Sequence, residues 1–269
     1  MLKKAFLILS ISFCLFLPLE ARGEGPVVYA KSAILLDGRT GKILFQKDCF
    51  KPMPPASTTK ILTTILALET GNTEEIVEVS FRAASTGEAA LGLVEGDKIR
   101  LLELIHGALI RSGNDSCVAI AEEIAPSVEE FVGLMNLKAK TIGALQTDFY
   151  NPHGLPHPQH LTTAYDLALI TRYALENPTF AEIVKKKYYH VRWESPRRTQ
   201  FIKNTNYLLW TYPLATGVKT GTTFKAGKCL VASAEYKGQR VIAVILNAQD
   251  RFGEAKRLLE YGLRQLSSG

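Results

Sequence analysis

Two strand-like runs early in the chain have no partner near them in sequence. SAILL (32–36) and KILFQ (42–46) flank Asp37-Gly38-Arg39-Thr40-Gly41, the pattern of a β-hairpin. A lone hairpin is only marginally stable in water, so its edge must be completed from elsewhere. The strong strands that could do so come late: KCLVASAEY and RVIAVILNA, on either side of Lys237-Gly238-Gln239. Between them and the hairpin lie runs of helical periodicity at 58–69, 101–110, 116–125, 128–142 and 163–175, then strand character at 188–193 and 199–203. An amphipathic helical run follows at about 253–266. The order predicts an α+β fold. One antiparallel sheet is formed by the N- and C-terminal strands and flanked by helices. A mostly helical lobe, about 55–185, is inserted, with a crevice between the lobes.

The first residues read differently. Lys3 and Lys4 precede an apolar run from Ala5 to Leu17, which Pro18 breaks, and Ala21-Arg22-Gly23 offers small residues for cleavage. That is the layout of a secretory signal peptide over residues 1–23. The run is shorter than the roughly 20 residues of a spanning helix. Its removal would take Lys3, Lys4, Arg22 and Glu20 and lower the formal charge from +6 to +4. A mildly basic exported chain would be drawn towards anionic envelope polymers. The basic residues read as scattered, without an aromatic–basic array, so nucleic acid is not expected as a partner. Cys49, Cys117 and Cys229 remain after cleavage; their spacing is not that of a metal site, and a disulfide between two of them stays open.

Three short motifs carry the chemistry. In PPASTTKILTTILALE, Ile61, Leu62, Ile65, Leu66 and Leu68 wrap most of a helix, which predicts its burial. Ser57 and Lys60, three apart, share one face near its start. Burial disfavours an ammonium and lowers a lysine's pKa, making Lys60 a candidate general base for a Ser57 nucleophile. The helix N-terminus adds positive dipole there. Alone, S-x-x-K arises about once by chance in a chain of this length, and a capping serine with a snorkelling lysine is the plain alternative.

In IRSGNDSC, Gly113 can end one helix while Asn114 or Asp115 caps the next. The functional reading places Ser112 as a proton relay and the Asn114 amide against a substrate backbone group. In TGVKTGTT, Lys219 and Thr220 offer a charge and a hydroxyl, and Gly221 allows close backbone approach to a ligand. S-x-x-K, S-x-N and K-T-G in this order, at a helix start, between helices and at a strand, form a set found in penicillin-binding proteins and class A β-lactamases.

From Ser32 to about Leu266 the chain resembles the low-molecular-mass penicillin-binding proteins that act as D-alanyl-D-alanine carboxypeptidases. PPASTTKILTTILALE, SGNDS, TDFYNPHGL, TTAYDLALITRYAL, GVKTGTTFKAGKCLVASA and RFGEAKRLLEYG all carry the likeness. The resemblance implies an exported serine DD-peptidase, with 24–269 as its catalytic domain, acting in the periplasm or at the outer face of the cytoplasmic membrane. No cofactor and no metal are implied. The substrate would be a peptidoglycan pentapeptide ending in D-Ala-D-Ala, with β-lactams as covalent inhibitors. Ser57 would attack the carbonyl between the last two D-alanines and Lys60 would take its proton. Ser112, hydrogen-bonded between Lys60 and Lys219, would protonate the departing D-alanine. The N–H groups of Ser57 and Thr222 would form the oxyanion hole. Lys219, Thr220, Thr222 and Arg251 would bind the terminal carboxylate. Many members carry a further β-rich domain and an anchor helix; neither is expected within this sequence, and membrane attachment stays open.

Rival functions are weighed on residues. A class A β-lactamase carries a deacylating glutamate in an E-x-x-N loop, whereas TDFYNPHGLPHPQHLTT holds only Asp148 as an acid. A DD-endopeptidase would use the same residues. A non-catalytic binder should have lost a motif member, and a β-lactam sensor normally carries transmembrane helices and a signalling domain, which are not expected here. His153, His157 and His160 lie in a Pro-rich loop without an H-E-x-x-H helix, which argues against a metallopeptidase.

Overall fold

The computed structural model describes residues 25–267; the expected signal peptide, residues 1–23, lies outside them. The chain begins with β1 (Ser32–Asp37) and β2 (Ile43–Lys47), then a 3-10 turn at Ala56–Thr59 that continues as α1 (Lys60–Thr70). There follow β3 (Ile76–Glu78), α2 (Phe81–Ala84), β4 (Lys98–Arg100), α3 (Leu101–His106), α4 (Asn114–Ile124), α5 (Val128–Ile142), α6 (Ala164–Ala174) and α7 (Pro178–Val184). The last third holds β5 (Tyr188–Ser195), β6 (Arg198–Lys203), α8 (Leu208–Thr211), β7 (Ala215–Thr223), β8 (Gly227–Tyr236), β9 (Gln239–Ala248) and α9 (Arg251–Ser267).

The early hairpin finds the expected partners. The main sheet has the order β2-β1-β9-β8-β7, antiparallel throughout, with Ile34 opposite Val244 and Leu36 opposite Ile242. β1 is buried along its whole length and β8 and β9 nearly so, because the sheet is covered on both faces. Ile34, Leu36, Val231 and Val244 point into the core shared with the helical lobe. Leu35, Leu230, Ala243 and Ile245 point the other way, onto Ala255, Leu258 and Leu259 of α9. Continuous apolar runs are what such two-sided burial requires.

Two strands anticipated in the sequence lie elsewhere. β5 and β6 belong to a separate four-stranded sheet of order β3-β4-β5-β6. β3 and β4 are three residues each, too short for a period-2 pattern to show. Among the described residues no helix is long and apolar enough to cross a membrane. Cys49, Cys117 and Cys229 are buried and free, which closes the disulfide question.

α1 shows how the fold positions a charged group. Ile61, Leu62, Ile65 and Leu66 are at most 5% exposed, each contributing about 1.5–3 kcal/mol of burial. Those contributions hold the helix in the core and carry Lys60, which is fully buried, in with it.

Candidate active site

Ser57 sits in the 3-10 turn, half-buried, after Pro54 and Pro55. Two glycines let the rest of the chain close around this turn. A Cβ built on Gly221 of β7 would lie 2.9 Å from Ser57 N and 3.0 Å from Pro55 O. One built on Gly154 would lie 1.9 Å from Ala56 O, and Gly154 has φ +89°. Strand β7 and the loop around Gly154 thus press on the serine turn from two sides, and Thr222 is the next residue along β7.

Lys60 Nζ lies 2.9 Å from Ser57 Oγ, 2.7 Å from Asn114 Oδ1 and 2.8 Å from the His153 carbonyl oxygen. Three acceptors match the three protons of an ammonium; a neutral amine has two protons and a lone pair, which Ser57 O–H can then donate into. Burial lowers the Lys60 pKa to about 8, against smaller opposing contributions from Cys117, Asp115 and Glu88. The neutral amine is therefore accessible near physiological pH, which a fully solvated lysine would not allow.

Lys219, 1% exposed, donates to Ser112 Oγ at 2.9 Å and to the Thr220 carbonyl at 2.9 Å. Burial holds its pKa well below the usual lysine range, and the charge of nearby Lys60 acts in the same direction. Ser112 occupies the left-handed region at φ 70°, after a π-type turn over Gly107–Arg111. Thr220 Oγ1 shares a 2.6 Å hydrogen bond with Thr205 Oγ1. Arg251, the first residue of α9, donates from Nη1 to the Gly221 carbonyl at 2.9 Å and to Thr222 Oγ1 at 2.8 Å. Its buried Nε has no partner among the described residues, and burial lowers its pKa.

The structure brings all nine candidate residues together, with three differences from expectation. Ser112 pairs with Lys219, while the three donors of Lys60 go to Ser57, Asn114 and His153. The Asn114 amide is engaged within the protein at both ends: Oδ1 accepts a hydrogen bond from Lys60 Nζ and Nδ2 donates to Gly87 O at 3.0 Å. Neither Asn114 nor Asp115 caps α4, whose N-cap is Gly113. Asp115 instead accepts from the backbone N–H groups of Leu91, Gly92 and Leu93, fixing the loop before β4. A cap and a loop anchor both call for a short carboxylate, so sequence alone does not separate them.

The Pro-rich loop contributes contacts to which the sequence gives no clue. Besides the His153 carbonyl on Lys60, the Pro152 carbonyl accepts from Thr63 Oγ1, and His160 bridges Thr59 Oγ1 and the Tyr150 N–H. Burial lowers the pKa of both His153 and His160 to about 3, so these rings are neutral. Carbonyl contacts of this kind leave no side-chain signature. Among the described residues no group of three or more His, Cys, Asp or Glu side chains could hold a metal ion.

A family model described as D-alanyl-D-alanine carboxypeptidase, peptidase S11, matches residues 20–250. The D-alanyl-D-alanine carboxypeptidase DacF of Bacillus subtilis is 37% identical over 88% of this chain and 62% of its own length. DacC of Escherichia coli, of the same description, is 36% identical over 91% of this chain and 64% of its own. The chain thus spans less than two thirds of these relatives. A solved structure of a mutant Streptomyces K15 DD-transpeptidase superposes with a TM-score of 0.86 at 29% identity, covering 89% of this chain and 99% of that one.

Proposed function

The chain belongs to the D-alanyl-D-alanine carboxypeptidase family, and from that premise we propose that it removes the terminal D-alanine from peptidoglycan peptides through an acyl-enzyme on Ser57. The observation that carries this reading is the 2.9 Å contact between Ser57 Oγ and a fully buried Lys60 whose pKa is about 8. Neutral Lys60 takes the Ser57 proton as Oγ attacks the carbonyl between the two D-alanines. The N–H groups of Ser57 and Thr222 receive the negative charge of the tetrahedral oxygen, a contribution of about 3–4 kcal/mol for one donor in comparable sites. As the C–N bond breaks, Ser112 gives its proton to the departing amine and takes the proton that Lys60 holds, once a Lys60 hydrogen bond is exchanged to Ser112, so that Lys60 is neutral again. Lys219, Thr220, Thr222 and Arg251 hold the terminal carboxylate. A water then attacks the ester, again with Lys60 as base, and releases the shortened peptide.

Residues 1–23 direct export in this reading, so the site works outside the cytoplasm, on the outer face of the membrane or in the periplasm. Residues 24–269 form the catalytic domain. The test is mass spectrometry of products from a pentapeptide ending in D-Ala-D-Ala. Release of one D-alanine per peptide, lost in Ser57→Ala, is the expected result; an unchanged pentapeptide would overturn it.

A further inference from the structure

The basic residues, read above as scattered, are dense in one stretch of the chain. Residues 185–203 hold seven lysines and arginines against the single Glu194, a formal net +6 that equals the charge of the whole chain. The fold spreads this segment over the edge of the four-stranded sheet. Tyr188, His190 and Arg192 of β5 stand opposite Lys203, Phe201 and Thr199 of β6, all on the solvent side. Tyr188 is 60% exposed and Phe201 57%, and their ring centroids are 5.8 Å apart, with His190 at 5.3 Å from Phe201. At the hairpin end, Arg192, Trp193, Glu194, Arg197, Arg198 and Thr199 line an open hollow of about 490 Å3. Arg198 is held by Asp97 at 2.6 Å and stacks over Trp193. The guanidinium groups of Arg192 and Arg197 make no hydrogen bond or ion pair among the described residues. The nearby acids are already engaged: Glu194 with Arg100, Glu182 with Lys185, and Glu103 with the Tyr189 hydroxyl and the Arg192 N–H.

This face leads to the active site. Two residues beyond β6, Thr205 Oγ1 bonds to Thr220 Oγ1. Phe201 is four residues before Thr205, at most about 14 Å of extended chain. A five-residue peptide in extended form spans about 17 Å. One whose carboxylate is held at Lys219 and Thr220 therefore has the reach to bring its sugar-bearing end to Phe201.

We propose that the outer face of β5 and β6 binds the glycan strand of peptidoglycan, a carbohydrate polymer whose lactyl groups are free carboxylates wherever a stem peptide has been removed. The exposed rings of Tyr188 and Phe201 receive sugar faces, and Arg192 and Arg197 receive the carboxylates. Charge concentrated in this way attracts a polyanion, and aromatic and arginine side chains are the anchors that interfaces favour. The rings lie on a sheet face rather than at a protruding tip, which suits an extended polymer better than a bilayer. The identity of the polymer rests on the carboxypeptidase reading of the site.

The test is cosedimentation of the full chain with glycan strands from which stem peptides have been stripped, leaving their lactyl carboxylates free. Wild type should bind. Tyr188→Ala/Phe201→Ala and Arg192→Gln/Arg197→Gln should each bind at least tenfold more weakly. Both variants should release D-alanine from a soluble pentapeptide at the wild-type rate and from intact sacculi more slowly. The arginine pair is solvent-facing, so it stands as a test if the aromatic pair misfolds. Undiminished glycan binding by the arginine variant overturns the proposal, as does tighter wild-type binding to phosphatidylglycerol vesicles or DNA than to glycan strands. If wild type binds glycan but releases no D-alanine from the soluble peptide, the carboxypeptidase reading fails and the binding surface stands.

Discussion

Lys219 Nζ donates a 2.9 Å hydrogen bond to Ser112 Oγ, so the two buried lysines of the site serve different hydroxyls. Lys60 faces the serine expected to attack, and Lys219 faces the serine expected to return the proton. Lys60 has an acceptor for each of its three protons, so a relay to Ser112 forms only when one of those partners is exchanged. Departure of the His153 carbonyl or of Asn114 Oδ1 from Lys60 would free a donor for Ser112. Ground-state hydrogen bonds of this kind commonly tighten or switch in the reacting complex.

Among the described residues Ser57 alone combines a helix start with a buried lysine at hydrogen-bond distance. Intact-mass measurement after penicillin should show one covalent adduct, and Ser57→Ala should abolish it. An adduct of undiminished yield on that variant would reject the assignment.

On the proposed mechanism acylation needs Lys60 neutral. Its pKa of about 8 predicts an acylation rate that rises about tenfold per pH unit below that value and levels off above it. Lys60→Arg, which keeps its charge, should stop acylation with the circular-dichroism spectrum unchanged. A flat rate between pH 6 and 9 would show that another group takes the proton.

The lowered pKa also has a stability consequence. Lys60 titrates at about 8 when folded and near the ordinary lysine value of 10.5 when unfolded. Between those values the unfolded chain binds more protons, so stability rises with pH across that window. Measured against Lys60→Met, wild type should gain about 3 kcal/mol from pH 8 to 10.5, at about 1.4 kcal/mol for each pH unit crossed. Denaturant melts of both proteins at the two pH values check this. A difference that stays constant would mean that the burial of Lys60 is relieved in solution.

How much of the site is legible in the sequence depends on the kind of signal. The Ser57–Lys60 pair follows from helical spacing and from the apolar residues that bury α1, and both are readable. The closure of β1 on β9 follows from a hairpin that needs an edge partner. The role of Asp115 is not readable, because a helix cap and a loop anchor select the same side chain. The Lys60–His153 contact is invisible because a backbone carbonyl has no residue code. The charge of the basic face is legible as the run at 185–203, whereas its placement beside Tyr188 and Phe201 on one face shows only in the β5–β6 register.

Asp115 fixes three backbone N–H groups at once. Asp115→Ala should leave them unsatisfied, at about 1–3 kcal/mol for a buried group, and loosen the loop that Asn114 also touches through Gly87. Hydrogen exchange at Leu91, Gly92 and Leu93 should accelerate well beyond the global change. Exchange no faster there than elsewhere would show that other contacts hold the loop.

Gly154 has φ +89°, and a Cβ there would lie 1.9 Å from Ala56 O. Gly154→Ala therefore combines backbone strain of about 1–3 kcal/mol with a clash against the turn that carries Ser57. The melting temperature should fall, and penicillin acylation should slow more than tenfold in the protein that remains folded. Normal acylation at a lowered melting temperature would show that the turn tolerates the displacement and that the loop acts only on stability.

Which reaction dominates rests on the loop between Thr147 and Thr163. It holds no glutamate, and its one acid, Asp148, is exposed and paired through its backbone with Leu161. What the loop presents to Lys60 is a carbonyl oxygen, which cannot accept a proton from water as a carboxylate does. On the proposed mechanism deacylation then depends on Lys60. On that mechanism the same serine and oxyanion donors serve a penicilloyl and a peptidyl ester, so any discrimination arises in the step that water performs. The peptidyl ester lets its leaving group depart and opens the site to water; a β-lactam keeps its own leaving group tethered. The penicilloyl adduct should persist for minutes or longer while D-alanine is released continuously from the pentapeptide. Stopped-flow acylation followed by adduct decay, with D-alanine release measured in parallel, decides the matter. Rapid repeated turnover of penicillin without D-alanine release would make the chain a β-lactamase and would assign the deacylating base to a group outside this loop.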